Sequence, residues 1–167
     1  MRRMMLGTAL LLAGCGAAEK TPDTAVAASG FTPPAPQMPK PLPGQAQTTP
    51  LTAYVGKYPH DAVDGVGFYD RSEVANGLVA AVGDPALRER IRGRSGPENP
   101  IFQRGKQIAA WGCEAHNCGD HNWTVLIDPT RGKTQVCYHD TATMGTRSRW
   151  YADAAPVLRA GACPAEG

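Results

Sequence analysis

The chain has 167 residues, with 17 Lys and Arg, 15 Asp and Glu, and five Cys, the size of one ordinary domain around a single core. Neither its near-balanced charge nor any run of like charge suits nucleic-acid binding. The one long apolar run, Met4 to Ala13, is shorter than the roughly 20 residues that span a bilayer, which excludes a polytopic membrane protein.

Residues 1–14 read as an export signal. Arg2 and Arg3 form a positive start, an apolar stretch follows from Met4, and Leu12-Ala13-Gly14-Cys15 closes it. That tetrapeptide resembles the lipobox of bacterial lipoproteins, which implies cleavage before Cys15 and lipidation of its thiol. Gly16 rather than Asp follows the Cys, so the resemblance implies an anchor in the outer membrane, facing the periplasm. Once Arg2 and Arg3 are removed, 15 basic residues face 15 acidic ones, and net charge steers no partner over long range. Residues 15–50 read as the lipidated Cys and a tether. Eight of the 15 prolines lie between Pro22 and Pro50; proline fixes φ, removes a donor and favours extended polyproline II. The folded domain is expected over 51–167.

Asp70 followed by Glu73 reads as an N-cap with its capping-box partner. Val74, Leu78, Val79 and Val82 then form a helical apolar stripe that stops at Gly83. Asp84-Pro85 starts a second helix, with Leu87 and Ile91 on its apolar side and Gly93 at its end. Arg88, Arg90, Arg92 and Arg94 read as a solvated basic face, with an anionic surface such as lipopolysaccharide as the alternative. Lys106 to Gly112 and Asn122 to Ile127 read as strands, the second alternating Trp123, Val125 and Ile127 with Thr124 and Leu126 as a partly buried strand does. Asp128-Pro129-Thr130-Arg131-Gly132 is turn chemistry, and Thr134 to Tyr138 returns as a strand. Helices followed by an antiparallel meander predict an α+β domain with helices packed on the sheet.

With Cys15 lipidated, four cysteines remain in an oxidising compartment, and four allow three pairings. Cys113 and Cys118 share one loop between the first two strands, which favours their pairing and leaves Cys137 with Cys163. The loop reads Trp111-Gly112-Cys113-Glu114-Ala115-His116-Asn117-Cys118-Gly119-Asp120-His121. A hairpin tip stapled at its base projects the apical residue, His116, at little entropic cost on binding. Imidazole both donates and accepts hydrogen bonds, so a protruding His suits a cleft lined by carboxylates, such as that of a glycosidase.

The C-x-x-H-x-C loop followed by Gly, between two strands, resembles that of the inhibitor of vertebrate lysozyme (Ivy) family. The resemblance implies a periplasmic inhibitor that pushes the loop's His into the active site of a c-type lysozyme or a related muramidase. By position, Cys113 and Cys118 match the family's loop disulfide and His116 its inserting His. Glu114, Ala115, Asn117, Gly119 and Asp120 would shape the loop and contact the cleft rim. The family's loop typically carries Lys-Pro before the His and Asp after it, where this chain has Glu114-Ala115 and Asn117. Losing the Pro removes rigidity, and losing the acid removes a hydrogen-bonding partner for a basic enzyme. Between Gln107 and Asp140, Glu114, Asp120, Asp128 and Asp140 face Arg131 and Lys133, a net of −2 that is compatible with such an enzyme. The family also leaves room for a homodimer.

A zinc site from His116, Cys118, His121 and His139 conflicts with paired cysteines, so no metal or other cofactor is expected. Catalysis by His116 or His121 beside Asp120 or Asp140 lacks a nucleophile elbow, a reactive Cys or a phosphate loop, so no enzyme is expected. His60, His121 and His139 read as surface or hydrogen-bonded framework residues, and Trp111 and Trp123 as core. Arg147, Arg149 and Trp150 read as a local cation–π cluster. The expected partner is a lysozyme-like glycoside hydrolase, with the membrane reached only through the N-terminal lipid and no nucleic acid. The competing reading is an envelope scaffold or peptidoglycan- or protein-binding lipoprotein that inhibits nothing.

Overall fold

The computed structural model describes residues 48–152 and 155–167. The export signal read over 1–14, Cys15 and the tether up to residue 47 lie outside the described residues. Two 3-10 turns, Leu51–Tyr54 and Phe68–Asp70, precede helices α1 (Ser72–Ala81) and α2 (Pro85–Arg92). Strands β1 (Phe102–Arg104), β2 (Gln107–Cys113), β3 (His121–Asp128), β4 (Lys133–Asp140), β5 (Arg147–Tyr151) and β6 (Val157–Ala160) form one six-stranded antiparallel sheet in chain order. A four-residue helix, α3 (Thr141–Met144), joins β4 to β5. The α+β meander is as the sequence predicts; β1, β5, β6 and α3 are additions to it.

α2 follows its local signals. The Asp84 carboxylate accepts from the Ala86 amide at 2.9 Å, Pro85 occupies the first position, Leu87 and Ile91 are buried, and Gly93 ends the helix. α1 does not start as predicted. Phe68 and Tyr69 are buried in a separate turn that uses Asp70 as its exposed last residue, so Arg71, not Asp70, is the N-cap and no side chain caps the helix. The gain from burying that aromatic pair outweighs a surface cap of about 1 kcal/mol. Arg71 is itself buried, paired with Glu73 and standing over the Tyr54 ring. Val74, Leu78 and Val82 enter the core as expected, whereas Val79 is 61% exposed. The arginines do not share one face, because residues two apart on a helix point some 200° apart. Arg88 donates to the Val82 carbonyl, Arg92 faces Asp70 at 3.4 Å, and Arg90 turns to the sheet. α1 crosses β4 at Gly77, where a Cβ would collide with Thr134.

Every residue of β3 from Asn122 to Asp128 is buried, so the strand is covered on both faces rather than on one. Trp123, Val125 and Ile127 join Ile108, Ala110 and Val136 in the core beneath the helices. The C-terminal segment covers the opposite face. Thr124 Oγ1 donates to the Pro164 carbonyl at 2.7 Å, the Cys163 amide donates to Asn122 Oδ1 at 3.4 Å, and Cys163 is bonded to Cys137. Trp123 is core as expected, but Trp111 is only half-buried on the second face, outside that core. The cation–π contact at Trp150 comes from Arg159 of β6, with its guanidinium 4.6 Å from the ring centre, not from Arg147 or Arg149.

The Cys137–Cys163 bridge closes a sequence separation of 26, and chain entropy puts its worth at about 3.5 kcal/mol. A C137A/C163A variant is expected to lose that much in urea denaturation. A loss below about 1 kcal/mol would mean that Thr124 and Asn122 hold the C-terminal segment unaided.

Glu98 bridges to Gly112 beside β2, and its side chain is 13% exposed. Burial pushes its carboxyl up to about 7. Between the ordinary carboxylate range and pH 7 the folded state therefore holds a proton that the unfolded chain has released, so this group destabilises the fold as pH rises through that window. The stability of Glu98→Gln relative to the parent is expected to grow from about pH 5 to pH 8, read from urea midpoints.

Candidate functional site

Residues 114–120 form a loop between the end of β2 and the start of β3, closed at its base by the Cys113–Cys118 disulfide with Cα atoms 4.8 Å apart. Backbone bonds give the loop a fixed shape. The Glu114 amide donates to the His121 carbonyl at 3.0 Å, Asn117 to Glu114 at 3.0 Å, Asp120 to Asn117 at 3.1 Å and His121 to Asn117 at 2.8 Å. The segment Ser95–Asn99 braces the first arm: the Cys113 amide donates to the Pro97 carbonyl at 3.0 Å and the Ala115 amide to Ser95 at 3.4 Å. Gly96 lies so close against Cys113 and Ala115 that no Cβ fits there.

His116 sits at the second central position of the turn from Glu114 to Asn117, with φ +62°. That left-handed conformation is uncommon outside Gly, and Asn, Asp and His are the side chains that adopt it most often. Ala115, His116, Gly119 and Asp120 are exposed, while Glu114 and Asn117 are half-buried. The imidazole is thus held out from the loop's apex by backbone that a glycine would suit better.

The base of the loop is a network centred on His121, which faces the helical side of the sheet. Its Nδ1 lies 3.0 Å from Glu114 Oε2, and Asn117 Nδ2 donates to the same oxygen at 2.9 Å. An ionised carboxylate only accepts, so the Glu114 bond places a proton on Nδ1. The Tyr138 hydroxyl lies 2.5 Å from Nε2, and the two rings meet edge to face. Arg90 Nη1, from α2, stands 3.1 and 3.2 Å from the ring nitrogens and 3.3 Å from the Tyr138 hydroxyl. Asp140 approaches Nε2 to 3.9 Å. The Asn117 amide above all, with His121 and Arg90 adding, holds the Glu114 carboxyl below the usual range. At Asp140, burial pushes upward, but hydrogen bonds from Thr143 and the Ala142 amide, together with His121, outweigh it and lower the carboxyl. A recess of about 510 Å³ beside the loop is lined by Glu114, Asp120 and Asp140 around His121.

Of the residues that the sequence points to, 113 to 120 form this single loop. Cys113 with Cys118 and Cys137 with Cys163 are paired as expected, so neither loop cysteine is free to ligate a metal. His139 is buried framework: Nδ1 lies 2.8 Å from the Arg147 carbonyl and Nε2 3.1 Å from Thr141 Oγ1. His121 is also framework, but at the centre of the loop's support. Sequence reasoning missed Arg90 and Tyr138 as its partners; they lie 31 and 17 residues from it in the chain, with no spacing rule that joins them.

No curated protein and no solved structure matches the chain. A family model described as "Inhibitor of vertebrate lysozyme (Ivy)" matches residues 73–161. The match covers just over half of the chain, running from the first turn of α1 past the end of β6 and taking in the loop and its support. With this sheet, this stapled loop and that match, the chain belongs to the Ivy family of lysozyme inhibitors.

Proposed function

We propose that the protein is a lipid-anchored periplasmic inhibitor that inserts His116 between the catalytic carboxyl groups of a c-type lysozyme or related muramidase. The observation that carries this reading is His116 itself: exposed at the apex, at positive φ, on a loop fixed by its disulfide, its own backbone bonds and the Ser95–Asn99 brace. Backbone strain that the surrounding structure maintains is characteristic of sites that must present one side chain in one direction.

The chemistry is complementary. Retaining glycosidases place two carboxyl groups about 5–5.5 Å apart, one protonated as general acid and one ionised. A neutral imidazole has one N–H donor and one bare nitrogen acceptor. It donates to the ionised carboxylate and accepts from the protonated acid, so it satisfies both while excluding substrate. Ala115, Gly119 and Asp120 are the loop's other exposed residues and form the contact with the cleft rim. Glu114 and Asn117 serve the loop's shape, since their side chains bond one another and His121.

The lipobox-like Leu12-Ala13-Gly14-Cys15 supports an envelope address, and the proline-rich stretch to Pro50 supports a spacer between anchor and domain. A domain held in this way meets enzyme that arrives at the peptidoglycan and shields the wall from it.

The test titrates the non-lipidated protein, with both disulfides formed, into a c-type lysozyme while peptidoglycan lysis is followed. Stoichiometric inhibition is expected. His116→Ala and His116→Gly should each weaken it by about 30-fold or more, the scale of a central hot spot. The two variants should differ in stability: His116→Gly relieves the positive φ and is expected to exceed His116→Ala by about 1 kcal/mol in thermal unfolding. Absence of inhibition by the folded parent would overturn the reading in favour of a non-inhibitory binding lipoprotein.

A further inference from the structure

A cavity of about 750 Å³ opens between the outer faces of α1 and α2 and the segment from Pro59 to Asp70, and it shares no lining residue with the loop. Its volume is that of a small-molecule site, about 300–1,000 Å³. The lining is mixed. Ala75 and Val79, four apart on one face of α1, and Pro85 at the start of α2 supply apolar wall. Val79, the residue of the helical stripe that stays out of the core, is 61% exposed here.

Farther along α2 the walls are polar. Arg88 and Arg92 line the cavity one turn apart, and the chain beyond the helix brings in Arg94 beside His60. Against these three arginines the lining holds two acids, Asp70 and Glu89, a surplus of one positive charge. Tyr69 lines the cavity, is 3% exposed, and its hydroxyl has no hydrogen-bond partner among the described residues. His60, whose ring centre lies 5.8 Å from that of Tyr69, has a buried Nε2 in the same condition, 3.3 Å from Glu98 but out of hydrogen-bond alignment. Buried polar atoms without partners are unfavourable, and a bound acceptor removes that penalty.

We propose that this cavity is a binding site for a small amphiphilic anion, its carboxylate or phosphate head held by Arg92, Arg94, Tyr69 and His60 and its apolar tail laid along Ala75, Val79 and Pro85. Guanidinium forks match both oxyanions, and the buried Tyr69 hydroxyl adds a donor. Glu98 sits behind His60 with its carboxyl raised to about 7 by burial, so it opposes an anion less than an ordinary glutamate would. The proposal does not rest on lysozyme inhibition, and the two stand or fall separately.

The test is calorimetric titration of the non-lipidated protein with octanoate and octyl phosphate below their micelle concentrations. Inorganic phosphate and octanol serve as half-ligands. One-to-one binding of either amphiphile is expected, with each half-ligand at least tenfold weaker. A preference for octanoate identifies a free fatty acid as the source, and a preference for octyl phosphate a lipid phosphate. Arg92→Gln with Arg94→Gln, and separately Val79→Asp at its exposed position, should each weaken binding about tenfold with circular dichroism and lysozyme inhibition unchanged. The proposal is overturned by no binding of either amphiphile at millimolar concentration, by binding indifferent to all three substitutions, or by binding only to phosphatidylglycerol vesicles.

Discussion

Cys113 stands opposite Asn122 in the β2–β3 ladder, with Gly112 opposite Trp123 and Trp111 opposite Thr124, and on that register the direction of the loop depends. A slip of one residue would turn every side chain of β3 to the other face. His121 would leave Arg90 and Tyr138, Trp123 would leave the core, and Thr124 would lose Pro164. The register holds because both faces of β3 are fully committed, one to the helices and the other to the C-terminal segment fastened by Cys137–Cys163. A strand with one wet face would have tolerated more. Gly112 adds a steric lock, since a Cβ there would press on the Trp123 indole.

Above that register, the loop gains rigidity by a route different from the one its sequence departures suggest. The Lys-Pro pair typical of the family before the His is Glu114-Ala115 here, and a proline's fixed φ is lost with it. Glu114 compensates through its side chain, which binds Asn117 within the loop and His121 at its base. Charge thus replaces ring closure as the stiffening element. Glu114 is thus bonded within the loop while its side chain stays 46% exposed, and Asp120, beyond Cys118 at the loop's base, is the other acid there. A carboxylate bond weakens on protonation and a proline does not, so this loop is sensitive to acid in a way that a proline-stiffened one is not.

How far the sequence disclosed this structure depended on the range of the interaction involved. α2 was legible because its cap, its proline and its terminal glycine all act within a few residues of the helix ends. The start of α1 is hidden because Phe68 and Tyr69, whose packing decides it, find their aromatic partners in Tyr54 and His60, beyond the few residues that a capping rule reads. β5 and β6 escaped notice since Arg147, Arg149 and Arg159 interrupt any apolar alternation, and β6 is exposed along its whole length. The loop itself was legible because two cysteines five apart and a histidine between them form a local pattern. Its support was not, because Arg90 reaches His121 only once α2 is laid against the sheet.

That placement gives α2 two duties on opposite sides. Arg90 points to the sheet's end and joins the His121 network, while Arg88 and Arg92, two residues either way, line the cavity shared with α1. The separation follows from helical geometry alone, about 200° between residues two apart. A ligand held by Arg92 therefore has no direct contact with the loop's support, and occupancy of the cavity bears on the loop only if α2 moves as a body. Leu87 and Ile91 are buried in the core and resist such movement. The helix that steadies the stapled loop is thus anchored by residues that neither the loop nor the cavity uses, which allows either surface to change without the other.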